Sequence, residues 1–212
     1  MKNESQDFWD KISSQSSLSS NGLSGTALKT VESTKRHLTR DNTVLDYGCG
    51  TGDLTIAIAE NVRSVHAIDT SSGMIEVSKA KANQNGIRNV NFAKSSIDEV
   101  GHLKSEFDVV TAFNILHYIE DTQKVSRKIN ELLSPGGLFI SSTVCMGERR
   151  SIIGALIFIL TKMRIMPKTK SFKTSELENL IASGGFEIVE TEKLSMLPDY
   201  FVVAKKKEAS NR

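Results

Sequence analysis

The run Val44-Leu45-Asp46-Tyr47-Gly48-Cys49-Gly50-Thr51-Gly52-Asp53 constrains this chain more than any other stretch. Its β-branched and apolar start reads as the end of a buried strand. Three glycines at alternate positions then require a tight turn whose backbone is bare of side chains. Leu54-Thr55-Ile56-Ala57-Ile58-Ala59-Glu60 follows and reads as a helix packed on a sheet. Strand, glycine turn and helix make a corner suited to a nucleotide, because the ligand can approach where side chains are missing. The spacing departs from the dinucleotide fingerprint G-x-G-x-x-G, whose third glycine would fall at Asp53 rather than at Gly52. Asp46, two residues before the first glycine, adds a negative charge beside the turn. That charge suits an ammonium-bearing ligand better than a pyrophosphate.

Around this corner, strand-like and helix-like segments alternate. The pattern predicts strands at 43–47, 64–69, 89–94, 107–113 and 137–144, with helices near 53–61, 73–84 and 120–133. Such alternation argues a parallel sheet covered by helices on both faces. Ser134-Pro135-Gly136-Gly137 reads as a turn that ends one helix and starts the fifth strand. The tail breaks the rule: a helix at 174–183 ends at Gly184-Gly185, and 186–193 and 200–205 read as two strands with a short connection. Adjacent strands without a helix between them should be antiparallel. The N-terminal part begins with Phe8-Trp9-Asp10-Lys11-Ile12, crosses a Ser-rich stretch at 13–20 and then reads as helix to about Leu38.

The D-x-G-x-G-x-G run, from Asp46 to Gly52, resembles the S-adenosylmethionine (SAM) site of class I methyltransferases. The resemblance implies an α/β, Rossmann-like, seven-stranded, mostly parallel sheet with an antiparallel C-terminal strand pair. It also implies a domain over 41–212 preceded by a helical lid segment at 1–40. On the family pattern, Asp46, Gly48, Cys49 and Gly50 hold the methionine end of SAM. Asp69, at a strand's carboxyl end about seventeen residues past the turn, can accept from both ribose hydroxyls. Its other reading, shared with Ser71, is a cap for the next helix. Thr70 and Met74 would lie beside the adenine, although a methionine taken alone is more often core. The family usually places an Asp after the third strand to receive the adenine amino group. This chain has Ser96 there, with Asp98 two residues on, so adenine contacts are assigned to Ser96 and the Ile97 backbone. Asn114 and its carbonyl would face the ammonium group, and His117 and Tyr118 would flank the methyl group. For His117, packing at a helix start is favoured over general-base catalysis, since methyl transfer need not use a base.

The formal charge of +2 is too small to argue for nucleic acid. The chain also lacks the Asn-Pro-Pro-Tyr or Asp-Pro-Pro-Tyr tetrapeptide that accompanies methylation of planar amino groups in the family. A small, hydrophobic acceptor is the expectation, with no metal. The alternatives are a SAM-binding protein without catalysis and a methyltransferase acting on protein or RNA. An aminopropyl transferase would need acidic residues after the fourth strand, where Asn114-Ile115-Leu116-His117 offers none. Two cysteines, Cys49 and Cys145, and a polar start without a signal-peptide core predict a reducing, cytoplasmic setting.

The segment 146–173 stands out on the substrate side. Nine apolar residues at 152–160 are too few to cross a bilayer, which takes about twenty. Arg149, Arg150, Lys162, Arg164, Lys168, Lys170 and Lys173 surround them with no acidic residue between. A buried helix over the cleft, an apolar lid and transient contact of 149–173 with an anionic membrane surface are the three readings. Phe8 and Trp9 suggest a second lid, or an anchor for a surface helix.

Overall fold

The computed structural model describes residues 4–16, 22–148, 167–195 and 199–208. One seven-stranded sheet organises them, in the order β3-β2-β1-β4-β5-β7-β6. Its strands are β1 (Thr43–Tyr47), β2 (Ser64–Asp69), β3 (Val90–Lys94), β4 (Phe107–Phe113), β5 (Leu133–Val144), β6 (Phe186–Lys193) and β7 (Asp199–Lys206). The first five are parallel, and β7 runs antiparallel to both β5 and β6. The helices are α1 (Glu4–Ser16), α2 (Gly25–Lys35), α3 (Asp53–Ala59), α4 (Ser72–Gln84), α5 (Thr122–Leu132) and α6 (Thr174–Ser183). Both faces of the sheet are covered. Leu45, Ile68, Val110, Phe139 and Val202 pack with Val125 and Ile129 of α5 and Leu177 of α6. Val44, Val65, Ala67, Val109 and Ile140 pack on the other face with Ile75 of α4 and Phe92.

Local chemistry sets the element ends. In α5, Val125, Ile129 and Leu132 fall on one helical stripe and are buried. Asp121 caps that helix by accepting from the Lys124 N–H at 2.9 Å. Ser71 caps α4 in the same way, through the Met74 N–H at 3.1 Å. Chain direction on the sheet reverses between β1 and β4: β2 and β3 extend to one side of β1, and β4 and β5 to the other. A crevice outside the carboxyl ends of strands at such a switch point is where open α/β sheets bind ligands.

Two predicted boundaries move. The fifth strand begins at Leu133 instead of 137, because the turn Ser134–Gly137 is carried as an irregularity within it. Phe107 pairs with Leu133 and Val109 already pairs with Leu138, so two steps of β4 span five of β5. Gly136, at φ +74°, makes that excursion. The N-terminal part forms two helices, and α2 stops at Lys35. Ser33 of α2 and Arg36, which caps its C-terminus, bond Glu192 of β6 at 2.7 and 2.9 Å, which ties this helix to the far edge of the sheet. Residues 17–20 of the Ser-rich stretch and 151–160 of the apolar run lie outside the described residues.

Gly52 shows why the turn is written in glycine. It sits at φ +78°, and a Cβ there would come within 2.8 Å of Ser78 Cβ and 3.1 Å of the Phe92 ring. Gly86, at φ +67°, has open space around it. Gly52→Ala is therefore expected to lower stability by about 2–3 kcal/mol, or roughly 5–10 °C in Tm, and Gly86→Ala by only about 1 kcal/mol. Thermal unfolding of the two variants checks this; equal shifts would mean that backbone strain, not packing, decides the turn.

Candidate active site

The glycine turn is held against the end of β2 by backbone hydrogen bonds. The Gly48 and Cys49 N–H groups both donate to the Ile68 carbonyl, at 2.9 and 3.0 Å, and Gly52 donates to the Cys49 carbonyl at 3.0 Å. Gly48, Gly50 and Gly52 all have positive φ, a conformation that disfavours side chains. Their surroundings differ. A Cβ at Gly48 would lie 2.6 Å from Ile115 Cγ1, whereas one at Gly50 would meet nothing within 4 Å. Gly50 is thus the glycine that faces open space, and its N–H donates to Asp69 Oδ2 at 3.0 Å. The other Asp69 oxygen accepts from the Ser71 N–H at 2.9 Å. Burial raises the Asp69 carboxyl above its ordinary range, against the lowering effect of these N–H bonds.

Asp46 is 2% exposed, and both its oxygens are engaged. Thr55 of α3 donates to one and Thr111 of β4 to the other, the latter at 2.7 Å. Burial pushes its carboxyl up; the two hydroxyls oppose this, and the negative charge of Asp69 adds to it. The predicted ligand residue is therefore also a structural pin, joining β1 to a helix and a neighbouring strand. Cys49 lies between these acids. Burial, then the charges of Asp46 and Asp69, hold its thiol well up, so it stays protonated.

These groups line one cavity of about 1550 Å³ at the carboxyl ends of β1, β2 and β4. Asp46, Gly48, Cys49, Gly50, Asp69, Thr70, Met74, Asn114 and His117 all border it. Ser96 and Ile97 are not among the residues that border it. Ser96 is turned onto Glu99, which accepts from its N–H at 2.6 Å and its hydroxyl at 2.9 Å, and Ile97 is in the core. Ser95 borders the cavity instead. It directly follows β3, and its N–H is held by the Asp69 carbonyl at 3.0 Å.

At the other end, Asn114 adopts φ +53°, a left-handed conformation that Asn tolerates better than most residues. Its N–H donates to the Ser142 carbonyl at 2.9 Å. His117 is 6% exposed with Nδ1 unpartnered among the described residues, and its ring lies 4.2 Å from that of Tyr118. Trp9 packs edge-on against Tyr118 at 5.1 Å and 81°. Helix α1 thereby reaches the cavity, which Phe8 and Trp9 border. Asp10 fixes the helix by accepting from the Ser71 hydroxyl and, at 3.1 Å, from the Gly73 N–H at the start of α4. The sequence reading missed Asp10, Ser95, Ser142 and Asp199; no local pattern marks them. It also missed that Lys170 pins residues 167–170 beside His117, donating its N–H to the His117 carbonyl at 2.7 Å and its ammonium to the Glu120 carbonyl at 2.6 Å.

A sheet of this order, with its glycine turn and two strand-end acids at the switch point, defines the class I, Rossmann-like methyltransferase architecture. The chain belongs to the methyltransferase-domain family, whose sequence profile matches residues 38–194. A ubiquinone biosynthesis O-methyltransferase of Rickettsia canadensis is 30% identical over 158 residues, 71% of this chain and 65% of the relative. The Coxiella burnetii protein of the same name is 29% identical over 151 residues, 69% and 64% of the two lengths. The chain therefore spans a little under two thirds of the length of these curated relatives. Among solved structures, the Haloferax volcanii methyltransferase in complex with its Trm112 activator superposes with a TM-score of 0.80. It is 14% identical and covers 98% of this chain and 100% of its own, a likeness of fold.

Burial alone draws the His117 imidazole from the ordinary 6.5 to about 4. The fold keeps it neutral where the unfolded chain protonates it. Stability is therefore fully present above pH 6.5, falls as pH drops below that value, and levels off near pH 4. The difference corresponds to roughly 3 kcal/mol. Between pH 7 and pH 4.5, His117→Asn is expected to lose about 2 kcal/mol less than the unaltered chain in urea unfolding. Equal losses would mean that water reaches the ring.

Proposed function

We propose that this chain transfers a methyl group from SAM to an oxygen atom of a small, largely apolar molecule. The observation that carries the reading is the Gly50–Asp69 contact opening into a cavity larger than a typical single-ligand pocket. Single-ligand pockets run to roughly 300–1,000 Å³, against about 1550 Å³ here. The O-methyltransferase names of the relatives support oxygen as the receiving atom.

The residues fit the methyl donor. The Asp69 oxygens accept from the Gly50 and Ser71 N–H groups and, with four lone pairs between them, would still have capacity for ribose hydroxyls. Gly50 leaves the space beside that carboxylate clear. Thr70, Met74 and Ser95 would flank the base, and Asp46 with Asn114 would stand at the ammonium end. Asp46 and Asp69 together make this half of the cavity anionic, which favours a cationic ligand. SAM supplies a methyl group on a sulfonium, an already activated leaving group. The chain's own work is then positioning and exclusion of water. Trp9 and Tyr118 offer flat apolar surface. Neutral His117 can accept a hydrogen bond from an acceptor hydroxyl, and with its pKa at about 4 it is an orienting group and a weak base.

Helices α1 and α2 serve this reading as a cover for the cavity, and residues 167–170 border its acceptor end.

Isothermal titration is expected to show SAM binding that Asp69→Ala weakens roughly ten- to hundredfold, the worth of charged hydrogen bonds. Unchanged affinity would remove Asp69 from the ribose site. Formation of S-adenosylhomocysteine with a panel of small hydroxylated aromatics should follow. SAM binding without product from any acceptor would leave a binding protein.

A further inference from the structure

Of the buried side-chain polar atoms without a partner among the described residues, two belong to residues that border the cavity: His117 Nδ1 and Ser142 Oγ. Ser142 is 2% exposed. It lies near the carboxyl end of β5, in register with Phe113 of β4 and Phe201 of β7. Side chains alternate along a strand, so Ser142 shares its face with Val144, which also borders the cavity. Its carbonyl is taken by the Asn114 N–H, which holds the residue beside the strained corner of the site. Only its hydroxyl is unspent.

A buried hydroxyl with no partner destabilises a fold, and native proteins leave few of them. Alanine at this position would remove that cost and keep the strand. Around the two polar groups the cavity is bordered by Phe113, Ile115, Ile119 and Val144, with Glu120, Lys168, Lys170 and Asp199 farther along its lining. In ligand pockets, a few convergent polar groups on an apolar lining set the orientation of the ligand. Neither group carries charge, since burial keeps His117 neutral. They therefore match an uncharged oxygen better than an ammonium or a phosphate.

We propose that the Ser142 hydroxyl is a specificity-determining contact of the methyl acceptor, hydrogen-bonding an uncharged oxygen of a small apolar ring compound. This rests on the methyltransferase reading above and names which wall of the cavity receives the second substrate. The donor is held by the ends of β1 and β2; the acceptor is read by the end of β5.

The test compares the unaltered chain with Ser142→Ala for Tm, SAM affinity by titration, and KM and kcat with catechol and phenol as probe acceptors. The expected result is Tm unchanged or raised by a few degrees, SAM affinity unchanged, and KM for the acceptor raised roughly three- to tenfold, the worth of one neutral hydrogen bond. A fall in Tm with KM unchanged would make Ser142 a structural residue and overturn the proposal. Equal KM values in both proteins would overturn it as well, with the methyltransferase reading intact. No S-adenosylhomocysteine from the unaltered chain with any hydroxylated acceptor would instead sink the methyltransferase reading, and this proposal with it.

Discussion

The buried Asp46 carboxylate is the constraint on which the site depends. A charged group at 2% exposure is tolerated only when its oxygens are bonded. Here Thr55 and Thr111 supply those bonds from α3 and β4. The three elements that meet at the switch point are thus fixed to one another by polar contacts inside the core. The glycine turn leaves β1 two residues later, so its position is set by the same pin. Asp69 then clamps the tip of the turn from β2 through Gly50. Two acids from adjacent strands hold one loop, one from beneath and one from the side.

The glycine-turn side of the cavity, the proposed donor side, was legible in the sequence because its parts are local. Asp46, Gly48 and Gly50 lie within five residues, and Asp69 falls at the next strand end, where period and spacing can find it. The structure separates two purposes among the glycines. Gly48 and Gly52 are required by packing and φ, and Gly50 by φ and an open approach. The sheet was legible for the same reason, since each strand has its own apolar run. What escaped was a choice between neighbours. Ser95 and Ser96 are adjacent and chemically identical, and both hydroxyls donate to Glu99, Ser96 at 2.9 Å and Ser95 at 3.4 Å; only Ser95 borders the cavity. No pattern along the chain distinguishes them.

The other side of the cavity is assembled from distant segments and was only partly legible. Trp9 of α1, Tyr118 after β4, Ser142 of β5, Lys170 and Asp199 of β7 share one cavity and are separated by tens of residues. The sequence marks Trp9 as a lid residue, Tyr118 as a neighbour of the fourth strand's end and Lys170 as part of a basic segment, whereas Ser142 and Asp199 read as an ordinary strand serine and surface charge. Only the folded chain brings them together. This division has a physical logic: a fold that keeps its donor site on contiguous strand–turn units can change its acceptor by altering scattered wall residues. Fold and donor then say little about the second substrate.

The electrostatics of the two halves also bear on rate. On the methyl-transfer reading, positive charge at sulfur is lost as the reaction proceeds. A carboxylate against that sulfur would stabilise the starting state more than the transition state and slow the step. The acids of this site avoid that conflict if they act where the donor's charge does not change, at its ammonium and its ribose hydroxyls. Asp69, aimed by two backbone N–H groups, and Asp46, held back by two threonines, are suited to that division of labour. His117, Ser142 and the aromatic rings are themselves uncharged, with Glu120, Lys168, Lys170 and Asp199 also bordering the cavity. On that reading the acids would bind the donor while His117 and Ser142 would orient the acceptor, and the binding energy of the acids would be kept away from the atoms that react.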